Sequence, residues 1–199
     1  MTEAAHQMTS NPLPPDRRII VSVDKATGLS VAIMDDKGNF IATGRPGEIV
    51  IKGPNVIDGY EGNPEVNATS FSSGWFRTGD QGILDEDGYL TITGRLKEFI
   101  NRSGEKISPK EIDEILLRYP GVKEAVAFGV PNEVHGEVPA AVVVADDTIR
   151  ESDLVEHCRN HMAIFKCPRR IYIVSSIPKT ATGKVQRRIV ASKITELYK

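Results

Sequence analysis

Residues 94–121 read GRLKEFINRSGEKISPKEIDEILLRYPG, and a change of period inside this stretch decides the fold. Just before it, Leu90 and Ile92 alternate with Thr91 and Thr93, the period of a half-buried strand. From Ser108 the spacing turns helical. Ser108 stands as a cap, Pro109 in the first turn and Glu111 as the capping-box acid, and Ile112, Ile115 and Leu116 recur on one face. The helix is expected to stop at Tyr119-Pro120-Gly121. Between the two periods lies a glycine followed by Arg95-Leu96-Lys97-Glu98, the sharpest composition shift in the chain. It divides a first domain, residues 1–93, from a second, residues 98–199, with 94–97 as the joint.

Toward the N-terminus the stretches VAIMDDKGNFIA, GEIVIKG and GILDEDGYLTITG are short β-branched runs cut by turns such as Lys37-Gly38-Asn39 and Asp87-Gly88. They predict a meander of hairpins. The acidic run Asp85-Glu86-Asp87 lacks the spaced oxygen ligands of a calcium loop, so a plain hairpin turn is expected there. Toward the C-terminus, Glu124–Gly129 and Val138–Ala145 are apolar strands, and residues 152–165 form an amphipathic helix with Leu154, Cys158 and Met162 on one face. A third strand at Arg170–Val174, a polar loop at Pro178–Lys184 and a last helix carrying Val190, Ile194 and Leu197 complete the pattern. The fold class is α+β: a β-rich subdomain, then a small α+β domain with a three-stranded sheet. The second domain is expected to fold by itself, whereas the first leaves Ile49, Val50 and Ile51 without cover.

Composition removes several functions. Of 199 residues, 25 are Lys or Arg and 27 Asp or Glu, a net charge of −2, so no global positive field exists to hold a nucleic acid. No apolar run reaches the roughly 18 residues of a membrane span, and MTEAAHQMTSNPLPP lacks the regions of a signal peptide. A soluble, cytoplasmic protein is expected. The end, Leu197-Tyr198-Lys199, is not a peroxisomal tripeptide. Cys158 and Cys167 lack zinc or disulfide-framework spacing. His157 and His161 are four apart on a helix but have no HExxH glutamate and no evident third ligand, which favours structural histidines.

Three polar clusters stand apart from the packing pattern. In GWFRTGD, residues 74–80, Asp80 sits between glycine-containing turns, where its carboxylate serves either as a turn cap or as the acceptor of two hydrogen bonds from a vicinal diol. GRLKEFINRSGEKISP, residues 94–109, is either a solvated hairpin or a hinge whose Gly94 and Gly104 admit large backbone changes. PKTATGKVQRR, residues 178–188, presents Lys184 from a Thr/Gly loop before the last helix. It is no Walker A motif, because Pro178 and Val185 occupy positions that need Gly and Ser or Thr. Lys184, Arg187 and Arg188 also read as an ordinary basic first turn, although cations disfavour a helix N-terminus.

In this order and spacing the clusters resemble the adenylate-forming superfamily, and their wording is similar to acyl-CoA synthetases of the oxalate and 4-coumarate type. MTEAAHQM resembles the family's Thr-Glu motif, GEIVIKGPNVIDGY its following strand, GWFRTGD its Asp motif, GRLKEFINRSGEKISP its hinge motif and IPKTATGK its catalytic-lysine motif. The resemblance implies ATP, Mg²⁺ and coenzyme A as cofactors and a small carboxylic acid as substrate, with no nucleic acid and no membrane as partner. By it, Thr2 touches ATP phosphates, Glu3 binds Mg²⁺, Asp80 takes the ribose hydroxyls and Arg95 supports the ribose. Lys97 is the pivot, Ser103 and Gly104 line the pantetheine thiol path, and Lys184 bridges acid carboxylate and α-phosphate.

The family's phosphate loop would lie before the Thr-Glu motif, and here Met1 immediately precedes Thr2. This implies a truncated form, inactive alone, with the absent N-terminal portion as a potential partner. Val21-Ser22-Val23-Asp24 also departs from the family's Pro-Gly-Ser-Val-Gly, so the start of that strand is expected to be altered. Oxalate is the preferred acid and a 4-coumarate-like aromatic acid the alternative. The competing function is a non-catalytic remnant that binds a protein or nucleotide.

Overall fold

A computed structural model describes residues 1–15, 17–20, 22–181 and 183–197. The sequence departure at Val21 and the terminal Tyr198-Lys199 lie outside the described residues. Contacts divide the chain into two units, Met1–Lys97 and Glu98–Lys199.

In the first unit, β1 (Thr9–Ser10) pairs with β2 (Lys25–Ala26) as a small antiparallel ribbon. A five-stranded sheet follows from β3 (Ser30–Met34), β4 (Gly47–Lys52), β5 (Phe71–Ser72), β6 (Trp75–Leu84) and β7 (Leu90–Arg95). Its order is β3-β4-β6-β5, with β7 also paired to β6. Turn chemistry accounts for the hairpins. The Asp35 carboxylate accepts the backbone N–H of Lys37 and Asn39 at 2.9 and 2.8 Å, and Asp85 accepts that of Tyr89 at 2.7 Å.

A short helix, α1 (Pro64–Ser70), escapes the sequence pattern because it buries no residue and so has no apolar stripe to display. The expectation that Ile49, Val50 and Ile51 lack cover is overturned, since all three are buried. Ile49 and Ile51 pack with Ala4, Ile33, Phe76 and Leu90, a core closed by the N-terminal turn itself. Each such isoleucine contributes about 1.5–3 kcal/mol of burial.

The second unit contains β8 (Ile100–Arg102), β9 (Glu105–Ile107), α2 (Pro109–Leu117), β10 (Val122–Asn132), β11 (Gly136–Ala145), α3 (Glu151–His161), β12 (Ile171–Ile173) and α4 (Arg187–Leu197). The three expected strands are present, and β8 and β9 join them, so the sheet has five strands in place of three. Its order is β10-β11-β8-β9, with β12 parallel to β11. The apolar runs of β10 and β11 are continuous because both faces of the sheet are covered. Ala127, Ala141 and Val143 share a core with Ile112, Ile115 and Leu116 of α2 and with Leu154 and Cys158 of α3. On the other face Val126, Phe128, Ala140 and Val142 pack with Val190 and Ile194 of α4.

Two helix details differ from the sequence pattern. α3 ends at His161, because Ala163 is extended and residues 164–166 form a separate 3₁₀ turn. Leu197, expected beside Val190 and Ile194, is 75% exposed at the helix end.

Candidate functional site

In the first unit, Asp80 and Arg95 are directly opposed in the β6–β7 register, and Arg95 Nε donates to Asp80 Oδ1 at 2.8 Å. The sheet prepares Asp80 from behind. Buried Thr78 donates its hydroxyl to the Ile49 carbonyl at 2.8 Å, and its Oγ1 accepts the Asp80 N–H at 3.1 Å. The Gly79 N–H donates to Glu48 Oε1 at 2.9 Å, and Arg77 holds the other oxygen of that buried carboxylate at 2.5 Å. Gly79 has a φ of +75°, and the β4–β6 register shifts between Glu48 and Val50. This irregularity turns the strand where Asp80 emerges. A half-buried carboxylate beside an exposed guanidinium suits a diol, which can give two hydrogen bonds to the acid while the arginine balances charge.

Thr2 and Glu3 form a 3₁₀ turn with Ala4, whose side chain is fully buried. The turn is fastened by Asn55, which donates to the carbonyls of Ala4 and Gln7 at 3.2 and 2.9 Å, and by the Ile57 N–H on the Glu3 carbonyl at 2.9 Å. Tyr60 donates its hydroxyl to Glu3 Oε1 at 3.2 Å; burial and then the Glu3 charge push the phenol up from its ordinary pKa. Among the described residues, no three His, Cys, Asp or Glu side chains converge into a metal cage. Glu3 thus offers a divalent cation one carboxylate, a mode that fits Mg²⁺ held chiefly by phosphate oxygens and water.

Lys97 is exposed in the 3₁₀ turn Leu96–Glu98. Ser103 and Gly104 are the two loop residues of the β8–β9 hairpin, with φ of +49° and +91°. Two consecutive positive φ values make a primed hairpin turn, which explains why Ser-Gly stands there. The turn is tied to the β10–β11 connection: the Ser103 N–H donates to the His135 carbonyl at 2.8 Å, and Ser103 Oγ lies 2.8 Å from His135 Nδ1.

Beside this turn opens a cleft of about 240 Å³ lined by Arg102, His135, Arg159 and Arg169, with Val138, Ile164 and Pro168 as its apolar wall. Its three arginines come from β8, α3 and the segment before β12, so no local pattern announces the cluster. Arg102 is further held by a hydrogen bond to the Phe165 carbonyl. Among the described residues, no carboxylate lines the cleft. Cys167 also borders it; burial pushes that thiol up from its usual value against the opposing pull of Arg159. Cys158 is pushed up to about 12 by burial, then by Cys167, which leaves little thiolate for chemistry.

Lys184 is exposed in a loop closed on itself: the Thr180 N–H donates to the Lys184 carbonyl at 2.9 Å, and the Lys184 N–H to Thr180 Oγ1 at 3.1 Å. Arg187, three positions on, is not the solvated basic residue that a helix first turn suggests. Its guanidinium is 20% exposed and binds Glu98 Oε2 at 2.8 Å, Asp113 Oδ2 at 2.6 Å and the Ala127 carbonyl at 3.1 Å. The two carboxylates offset the unfavourable placement of a cation at a helix start. Burial works against the charge of Arg187, and its Asp113 and Glu98 partners outweigh that, so its pKa is raised. His157, in contrast, faces the Ile115 carbonyl at 3.0 Å and packs edge-on against Tyr119, a structural environment.

The family model for the AMP-binding enzyme C-terminal domain matches residues 111–184. The chain is 49% identical over 199 residues to an oxalate–CoA ligase of Arabidopsis thaliana, covering 98% of this chain and 39% of that protein. It is also 49% identical over 195 residues to an oxalate–CoA ligase of Saccharomyces cerevisiae, covering 96% and 36%. A crystal structure of ATP-bound MatB from Rhodopseudomonas palustris superposes with a TM-score of 0.92 at 37% identity, covering all of this chain and 40% of that one. The chain therefore spans less than two fifths of the length of the two curated relatives.

Proposed function

Since the chain carries an AMP-binding enzyme C-terminal domain and corresponds over its length to the C-terminal part of adenylate-forming CoA ligases, we propose that it serves ATP-dependent activation of a small carboxylic acid and its transfer to coenzyme A. In the first half-reaction a carboxylate oxygen attacks the α-phosphorus of ATP and pyrophosphate leaves. In the second, the CoA thiol attacks the acyl-adenylate carbonyl and AMP leaves.

Negative charge accumulates at the α-phosphate in the first step, and Lys184 supplies a cation there that needs no proton transfer. Asp80 accepts the ribose hydroxyls with Arg95 beside it, and Glu3 and Thr2 face the phosphates, with Mg²⁺ supplying charge neutralisation when bound. Lys97 is the pivot between the two half-reactions, and the Ser103-Gly104 turn guides the thiol. Oxalate is the favoured acid, given the oxalate–CoA ligases at 49% identity, and 4-coumarate the alternative.

The observation that carries this assignment is the arginine cleft next to the Ser103-Gly104 turn. Three guanidiniums, with no carboxylate among the described lining residues, match the phosphates of CoA, while the adjoining turn receives the arm that bears the thiol. Calorimetric titration of the protein with CoA should show binding that weakens about tenfold for Arg159→Ala, as expected for one lost charge-assisted contact. Binding unaffected by Arg159→Ala, or no binding, overturns the assignment. Because the chain is expected to be inactive alone, acid-dependent ATP–pyrophosphate exchange with oxalate against 4-coumarate, measured with the family's N-terminal portion supplied in trans, distinguishes the two acids.

A further inference from the structure

Ala127 lies in β10, an edge strand of the second unit's sheet. In its pair with Ala141, whose N–H points to the Arg170 carbonyl, the polar groups of Ala127 face away from β11. An uncovered edge would leave a buried N–H and C=O without partners. Two side chains close it: the Ala127 N–H donates to Asp113 Oδ1 at 2.6 Å, and its carbonyl accepts Arg187 Nη1 at 3.1 Å. Asp113 and Arg187 are joined to each other at 2.6 Å, and Arg187 also reaches Glu98, the residue after Lys97. Burial pushes the Asp113 carboxyl up, with Arg187 and the Ala127 amide pulling against it.

The same edge holds the other end of the lysine loop. Lys179 Nζ lies 2.8 Å from Glu124 Oε2, and Glu124 is three residues before Ala127 on β10. The segment from Lys179 to Arg187 is thus stapled twice along one strand, with Lys184 between the staples. The two staples are unequal. Lys179 and Glu124 are 42% and 37% exposed, whereas Arg187 is 20% exposed and makes three contacts. An exposed ion pair restrains little, and a desolvated fork of hydrogen bonds restrains much.

We infer that Arg187 is a positioning residue for Lys184: its fork on Glu98, Asp113 and the Ala127 carbonyl fixes where the lysine loop leaves the sheet edge, relative to the first residue after Lys97. The role rests on the adenylation assignment of Lys184, but the geometry can be tested without it. Arginine suits the position because three acceptors in different directions need a planar fork, which a lysine ammonium replaces only in part.

The test compares the wild-type protein with Arg187→Ala, Arg187→Lys and Lys179→Ala. Amide hydrogen exchange at Gly183 and Lys184 should accelerate about tenfold in Arg187→Ala, less in Arg187→Lys and little in Lys179→Ala, while the β11 amides keep their protection. Equal acceleration at β11 would make Arg187 a general stabiliser, and unchanged exchange at Gly183 and Lys184 would refute positioning; either overturns the inference. If Arg187→Ala fails to fold, Arg187→Lys against Lys179→Ala decides the same point.

A second readout is acid-dependent ATP–pyrophosphate exchange, where Arg187→Ala should lower kcat about tenfold with KM for ATP little changed, as displacement of one catalytic group requires. A rise in KM with unchanged kcat refutes positioning. Absence of exchange in the wild-type protein accords with the expectation of a chain inactive alone, and the hydrogen-exchange result then decides the positioning of the loop by itself.

Discussion

An aspartate–arginine pair that joins separate elements occurs in the first unit, Asp80 with Arg95, and another in the second, Asp113 with Arg187, and the two have the same chemistry in different surroundings. Asp80 and Arg95 meet at 2.8 Å with side chains 28% and 57% exposed. Asp113 and Arg187 meet at 2.6 Å with side chains 13% and 20% exposed. Water decides what each can do. The exposed pair gains little from its own contact, so a ligand hydroxyl can share or replace it at small cost. The buried pair cannot open without leaving a desolvated charge and an uncapped strand edge, so it holds structure. The contrast suggests that the first pair serves recognition and the second serves placement.

The largest expected effect breaks the buried pair. Asp113→Ala should lower the unfolding free energy by about 3 kcal/mol, because Arg187 loses its main partner and the Ala127 N–H loses its acceptor. Asp80→Ala, measured in the same urea titrations, should change stability by no more than about 1 kcal/mol. Equal losses for the two would erase the contrast.

Next in size is the effect on ligand. Asp80→Asn should weaken AMP binding about tenfold, since one charged acceptor for the ribose hydroxyls becomes neutral. Asp113→Asn should leave AMP binding within about twofold if the protein stays folded, because placement without contact carries little ground-state affinity. An Asp80→Asn variant that binds AMP as well as wild type would show that the exposed pair is only a turn element.

A smaller loss tests the hairpin beside the arginine cleft. Gly104 has a φ of +91° with open space around its Cα, so Gly104→Ala meets no steric neighbour and only backbone strain. A loss of about 1 kcal/mol is expected in thermal unfolding. No loss would mean that the turn relaxes freely, and with it the anchorage of Ser103 to His135.

The smallest effect supplies a reference for both pairs. Asp35 is a partly exposed carboxylate whose pKa is held below its ordinary value of 3.8, first by the Asn39 backbone amide. A lowered folded pKa contributes stability above the unfolded value, and that contribution is lost as pH falls through the folded one. Asp35→Asn should therefore flatten the acid limb of the stability curve below about pH 4 and leave stability at pH 7 lowered only slightly. An unchanged acid limb would show that these hydrogen bonds do not hold Asp35 ionised.

Much of the fold was legible because its elements announce themselves locally. Pro109 with Ile112, Ile115 and Leu116 marked α2, the paired apolar runs marked β10 and β11, and Lys37-Gly38-Asn39 and Asp85-Glu86-Asp87 marked hairpin turns. β8 and β9 were not legible as sheet members. Three residues are too short to show a period, and β8 joins the sheet through a single pairing, Arg102 with Gly136, remote in sequence. For the candidate site, Asp80 and Arg95 could be named from adjacent motifs, and the sheet register brings them into contact. Arg187 could be seen only as one more basic residue near a helix start.

The amino-acid sequence by itself determined the α+β class, the boundaries of α2 and α3 to within a few residues, and the identity of the polar motifs, because these depend on turn geometry and on periods of two and 3.6 residues. Tertiary structure alone decided which charges are buried, that Ala4 helps close the core over Ile49 and Ile51, that Arg102, Arg159 and Arg169 share a cleft, and that Arg187 caps the edge of β10. These properties arise from segments far apart along the chain. Burial, and with it the strength of an ion pair, is set by what folds over a residue and not by its neighbours in sequence.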